Sequence, residues 1–224
     1  MEGVRMQLQP TQPIFDYRTL RLLVGVIAFA LPFVVTIIAS ESLPSVSASY
    51  FSEARDLFVG LMFIVSAFLL AYNGHSIPQA IASKVAAVAA ACVAIFPTSK
   101  TCEPSTWVTI THTASAVVLL SILAYFCLGP FRKKTWGMDG KKRRRAFVYV
   151  GCGLVMIGAM LAGAYGMFVL GCDEREESRI IYWVEAIALV AFGVAWFVAG
   201  KWLPIMADGD EELRFFQQEH DSGT

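Results

Sequence analysis

Leu22 to Ser40, Leu57 to Tyr72, Ile77 to Phe96, Trp107 to Leu128, Phe147 to Leu170 and Ile180 to Leu203 are six nearly unbroken apolar runs. Each approaches the roughly 20 helical residues that cross a hydrocarbon layer about 30 Å thick, where a helix satisfies its own backbone polar groups. With 56% hydrophobic and 16% charged residues among 224, the chain carries more apolar surface than one soluble core of that size hides. The alternative is a soluble domain with buried central helices, and such helices rarely come six in a row. The fold class read from the sequence is all-α, a polytopic membrane protein built as a six-helix transmembrane bundle. Residues 1–20 form a cytoplasmic N-terminal segment, 21–205 the transmembrane domain and 206–224 an acidic cytoplasmic tail. The first run is longer than a signal-peptide core and IIASES offers no small-x-small cleavage pattern, so it reads as an uncleaved anchor.

Charge orients the bundle. The loop GPFRKKTWGMDGKKRRRAF carries Arg132, Lys133, Lys134, Lys141, Lys142, Arg143, Arg144 and Arg145, and short loops rich in Lys and Arg stay cytoplasmic. Both termini are then inside, together with Arg5, Arg18, Arg21 and Lys201; the outer side holds only Arg55, Lys100, Arg175 and Arg179. A basic loop of this kind is a topology signal that also touches anionic lipid headgroups, and no nucleic-acid partner is expected from it. Cys92, Cys127 and Cys152 fall inside runs, where a thiol behaves as a small apolar group. Cys102 and Cys172 fall in outer loops facing the oxidising side, where a disulfide between them is chemically allowed; two unrelated thiols are the alternative.

Polar residues inside such a bundle are the informative ones, because a charge at membrane depth costs about 2.5–3.5 kcal/mol and usually faces a partner. Lys84 sits near an inner end, where its stem can carry the ammonium to the headgroups. On the outer side, SYFSEARDLFVG sets Glu53, Arg55 and Asp56 at the start of the second span, with Ser52 as its expected cap. His112 lies about one and a half turns into the fourth span and Glu185 at the same depth in the sixth, beside Tyr182 and Trp183. Asp56, His112 and Glu185 thus reach one layer, with Tyr50, Arg55, Thr98, Lys100, Thr109 and Thr111 as neighbours. Three readings of this layer stand open. It is helix-start chemistry plus a buried His112–Glu185 pair, or a pocket for a lipid headgroup or small polar ligand, or a catalytic set with His112 as base.

No metal or cofactor is expected. A hydrolytic zinc usually takes three protein ligands, but His75 and His220 fall on the inner side and in the tail, leaving His112 with only Asp56 and Glu185 for a mixed set. A bis-histidine haem lacks its second intramembrane histidine. ADGDEE lacks the spacing of a calcium loop, and no phosphate loop, nucleophile elbow or zinc-protease helix is present. Small residues in GCGLVMIGAMLAGAYG read as helix packing, with Gly151, Gly158 and Gly163 letting backbones approach. The tail EELRFFQQEH has Leu213, Phe215 and Phe216 spaced for a short interfacial helix.

The serine-bearing loop SLPSVSASYF, the span FVGLMFIVSAFLLAYNG, then AIFPT, THTASAVVLLSILAYF and LVAFGVAWFVAG follow one another over residues 20–203. In that order they resemble the DRAM and Frag type of six-span membrane proteins and their bacterial relatives. The resemblance implies an N-inside, C-inside six-helix bundle with roles in lipid handling or membrane signalling. It carries over to His112 and to the loop Ser47 to Phe51. A more distant similarity is to the ceramidase and progestin-receptor superfamily, from which this chain departs by offering one intramembrane histidine.

The function expected is therefore that of a non-enzymatic, bacterial inner-membrane protein that binds a lipid or small ligand in an outward-facing pocket, or serves as a sensor or accessory subunit. The runner-up is a membrane-embedded lipid hydrolase using His112, Asp56 and Glu185. A transporter ranks third, since no internal repeat or matching pair of broken helices is visible. The expected partners are membrane lipids, and a second copy or another membrane protein.

Overall fold

A computed structural model describes residues 17–74, 76–99, 104–132 and 140–200, with the side chains of Tyr17, Arg18 and Lys141 excepted. The expectations for His75, Lys100, Cys102, Lys133, Lys134, His220, the N-terminal segment and the acidic tail lie outside these residues. The described chain is all-helical: α1 (Tyr17–Ala39), α2 (Arg55–Ala71), α3 (Ile77–Ile95), α4 (Trp107–Phe126), α5 (Lys141–Phe168), α6 (Cys172–Ser178) and α7 (Ile180–Gly200). A 3-10 turn, Ser47–Phe51, precedes α2, and a π turn with Pro130, Cys127–Phe131, continues α4. Each of the six apolar runs holds one of the long helices.

Five of those helices are long and apolar enough to cross a membrane: the ones in residues 19–39, 77–95, 107–131, 142–168 and 180–200. α2 is the exception in length: its 17 residues span about 26 Å. The surface fits a multi-pass membrane protein, since Phe33, Ile81, Val88, Leu154 and Leu161 are all exposed around the bundle. A water-facing monomer rarely exposes contiguous apolar area on that scale.

Local chemistry sets the helix ends. Thr106 accepts from the Thr109 amide while Thr109 Oγ1 accepts from the Thr106 amide (3.3 and 2.9 Å), a reciprocal box that starts α4. Pro78 in the first turn pre-sets α3, followed by an alanine-rich run. α2 starts at Arg55, later than the expected cap implies. Ser52 Oγ instead accepts from the Ala54 amide (3.1 Å) and donates to the Ser49 carbonyl, so it organises the turn ahead of the helix and leaves Glu53 outside it. Arg179, at φ 49°, breaks the short α6 from α7.

α7 packs between α1 and α5, and α3 between α2 and α4, while α4 and α7 scarcely meet. α1 and α7 run antiparallel and cross at Gly25 and Gly193. A Cβ on Gly193 would lie 2.8 Å from the Phe29 amide nitrogen and 2.9 Å from the Gly25 carbonyl oxygen. Only glycine admits that backbone approach. The α5 glycines singled out from sequence divide differently: Gly163 meets Val184 (3.1 Å), but Gly151 and Gly158 have nothing within 4 Å. They lie on the exposed face of α5, whereas Gly153 and Gly166 receive Leu128 and Ile180. A seven-residue glycine spacing marks a face without saying whether that face is inward.

Aromatic packing closes the end of the bundle that carries Phe131. Trp196, Tyr72, Phe126 and Phe192 are fully buried there. Arg21 lies over the Tyr72 and Phe131 rings (5.4 and 5.6 Å) and donates to Tyr72 Oη (2.9 Å) and the Ala199 carbonyl (3.1 Å) near the end of α7, where helix carbonyls lack donors. Lys84 carries its ammonium to the exposed end of α2 that holds Asn73. It donates to the Leu70 carbonyl and to Asn73 Oδ1 (2.8 Å), capping α2 from α3, because those last carbonyls are orphans within their own helix.

Candidate functional site

The opposite end, carrying Trp107, is organised by the first two turns of α7. Arg179 Nε donates to the Leu43 carbonyl (3.0 Å), the Tyr182 amide to the Pro44 carbonyl (3.1 Å), and Tyr182 Oη shares a hydrogen bond with Thr36 Oγ1 (2.9 Å). One turn further, Glu185 receives the Ser47 amide on Oε2 (2.9 Å) and the Ser47 hydroxyl on Oε1 (3.2 Å). Residues 182 and 185 lie about one helical turn apart, so one face of α7, with Arg179 just ahead of it, holds the connection from α1 to α2 at Leu43, Pro44 and Ser47. Ser47 opens the 3-10 turn, whose first amides have no partner within the turn, and the Glu185 carboxylate caps it from another helix.

His112 is 3% exposed. Its Nδ1 lies 2.7 Å from the Phe96 carbonyl at the end of α3, and the Val93 backbone is beside the ring. Phe96 precedes a proline and is extended (φ −91°, ψ 119°), which ends α3 and presents that carbonyl outward. A carbonyl can only accept, so Nδ1 carries the proton, and in the neutral ring Nε2 is a bare acceptor. Nε2 is buried and has no hydrogen-bond partner.

Between these features, where α4 and α7 stand apart, lies a cavity of about 50 Å³. Its walls are Leu31, Phe58, Met62, Leu119 and Leu189, and its polar edge is Ser47 with Glu185. Val93 and Ala116 also line it. Ala116 is four residues beyond His112 on the same stripe of α4. One water needs about 10–15 Å³ of such space, and an apolar cavity stays dry and takes an apolar guest.

The residues expected in one layer are thus only partly gathered. Glu185 and His112 do not bond each other: each is spent on a neighbouring loop or helix end. Asp56 is exposed in the first turn of α2. Among the described residues no three His, Cys, Asp or Glu side chains come together as a metal-ligand set, so the mixed Asp56, His112 and Glu185 set is not assembled. Arg55 and Tyr50 pair with one another, the guanidinium 4.5 Å over the ring and 3.0 Å from the hydroxyl. Thr109 belongs to the α4 cap, and Thr111 back-bonds to the Trp107 carbonyl. Tyr182 is buried in the α7 grip rather than in the cavity wall. Sequence reasoning did not place Thr36, Arg179 or the cavity lining. Ser47 had a visible signal, the run of serines in SLPSVSAS.

Cys172, at the start of α6, is disulfide-bonded, and its expected partner Cys102 lies outside the described residues. Cys92, Cys127 and Cys152 are free thiols within the helices and the π turn. No family model, no curated protein and no solved structure matches this chain. Its functional reading rests on the geometry above.

Proposed function

We propose that this chain is a non-enzymatic six-span protein of a bacterial plasma membrane that holds a small amphiphile or lipid in the cavity between α4 and α7. The observation that carries the reading is the cavity itself: aliphatic and aromatic walls with one polar edge, made by Ser47 and Glu185. A pocket that is mostly apolar with a few placed polar groups is the usual form of a small-molecule site, and at about 50 Å³ this one admits a small part of such a ligand.

Six spans require α2 to cross as well. At about 26 Å it falls a few ångströms short of the layer, a mismatch that local thinning accommodates at modest cost. Arg55 and Asp56 at one end and Asn73 at the other suit the two interfaces. The basic stretch ahead of α5 favours a cytoplasmic side for both termini, and a disulfide at Cys172 suits the opposite, oxidising side. The cavity's polar edge then faces outward.

Filling the cavity tests the reading. Ala116→Phe adds a ring to the wall where α4 faces α7. Native mass spectrometry of the wild-type protein, released from mild detergent, is expected to find a retained small mass, and the Ala116→Phe protein to lack it while keeping wild-type helix content. No retained mass in the wild type, or equal retention in the variant, contradicts the proposal.

A further inference from the structure

α5 starts at the end of the bundle that carries Phe131, and two of its first basic residues face away from the other helices. At about 100° per residue, Arg143 and Arg144 fall on either side of a stripe made by Phe147, Gly151, Leu154, Gly158 and Leu161. Every one of these residues is exposed, and Phe147, Leu154 and Leu161 are each more than half exposed. The Arg143 guanidinium lies 5.7 Å over the Phe147 ring. That contact holds the charge at the head of the apolar stripe, where an aromatic ring suits the edge of a membrane. Further along, Gly151 and Gly158 leave two notches, since a Cβ at either would meet nothing within 4 Å.

No acid answers these charges among the described residues. There, every Asp and Glu lies toward the Trp107 end: in the connection from α1 to α2, in the first turn of α2, in α6, or at Glu185. Arg143 and Arg144 accordingly form no ion pair with a described residue. A guanidinium presents a planar fork of donors that matches a phosphate. A phosphate above an exposed apolar stripe is the chemistry of a phospholipid.

We propose that this face of α5 docks an anionic phospholipid of the cytoplasmic leaflet. The phosphate sits between Arg143 and Arg144, and an acyl chain follows Phe147 and Leu154 into the notches at Gly151 and Gly158. This site is separate from the cavity between α4 and α7 and does not rest on it. A basic side chain beside an anionic lipid surface contributes about fivefold in affinity, so the pair sets a preference of about twentyfold over a zwitterionic lipid.

The test uses the full chain in mild detergent, given equal amounts of phosphatidylglycerol and phosphatidylcholine with the same acyl chains. Native mass spectrometry counts each lipid retained. Phosphatidylglycerol is expected at about twentyfold preference, and changing Arg143→Gln and Arg144→Gln together should bring the two lipids near parity. The other basic residues of the loop, Arg132, Lys133, Lys134, Lys141, Lys142 and Arg145, keep the topology signal in that variant. Arg175→Gln removes the same charge at the opposite end and should leave the preference unchanged. Gly151→Leu fills one notch and should lower the retention of phosphatidylglycerol. Ala116→Phe, which fills the cavity between α4 and α7, should leave it in place, so the two sites fail independently. Equal retention of both lipids by the wild type, or an undiminished preference in the double variant, overturns the proposal. So does displacement by free glycerol phosphate, which would make this a site for a soluble anion. A two-chain mass without lipid would put a second copy on this face, and retention only after removal of residues 206–224 would put the acidic tail there; either result overturns it too.

Discussion

Gly193→Ala is expected to destabilise the bundle by about 2–3 kcal/mol, the range for overpacking a close contact that cannot relax. The new methyl would sit within 3 Å of the Phe29 amide, the Gly25 carbonyl and Phe29 Cβ. Two of those are backbone atoms of α1, so the whole helix must move. That movement would disturb the grip of α7 on Thr36, Leu43 and Ser47 at one end and Arg21 with Ala199 at the other. The control lies in the same protein. Gly151→Ala and Gly158→Ala meet nothing within 4 Å, and each removes a flexible residue from a helix interior, worth up to about 1 kcal/mol in favour of the folded state. Thermal unfolding in detergent should therefore fall for Gly193→Ala and hold or rise for the two α5 variants. If all three move together, helix propensity and not the α1–α7 crossing governs stability.

Glu185→Ala should cost at least as much, about 2–4 kcal/mol, because it strands two Ser47 donors at once. Ser47→Ala removes one donor and leaves the amide bond to Oε2 intact, so about 1 kcal/mol is expected. The two changes share a partner and should not add: in the double variant the second loss is smaller than alone. Hydrogen exchange gives the local readout. Amides of the turn Ser47–Phe51 should exchange much faster in Glu185→Ala, while those of α5 stay protected. Unchanged protection in that turn would mean the carboxylate does not hold the loop.

The architecture was legible because lipid imposes it on the sequence. A run of about 20 apolar residues must pair its own backbone groups, which leaves a helix, and every such run became one. Boundaries were less legible where a side chain could serve two starts. Ser52 offers its oxygen equally to a helix cap and to a turn, and the 3-10 turn before it took the second option. Lys84 shows the same limit: its stem length was legible, but the partners it meets at the end of α2, the Leu70 carbonyl and Asn73, carry no mark in the sequence.

The candidate site was legible as a depth and not as a set of contacts. Spacing from the helix starts picked out Glu185 and His112 correctly as inward polar groups, but partners in three dimensions came from elements with no spacing signal. Ser47 lies 138 residues from Glu185, and the Phe96 carbonyl that holds His112 is a backbone group that any residue would supply. Asp56 shares their nominal level, yet the start of α2 at Arg55 turns it to the exposed side. The cavity between α4 and α7 has no sequence mark at all, since it arises where two helices fail to pack.

Sidedness underlies every use made of the site, and impermeant thiol labelling in intact cells measures it directly. Ser105, exposed ahead of α4, and Ser76, exposed at the start of α3, are separated by one crossing of α3; the Ser76 side chain makes no capping bond, and α4 is capped by Thr106 and not by Ser105. Ser105→Cys should react from outside before any permeabilisation, and Ser76→Cys only after it. Labelling of Ser76→Cys alone from outside, or of both from the same side, would contradict a bundle whose Ser47 and Glu185 closure faces outward.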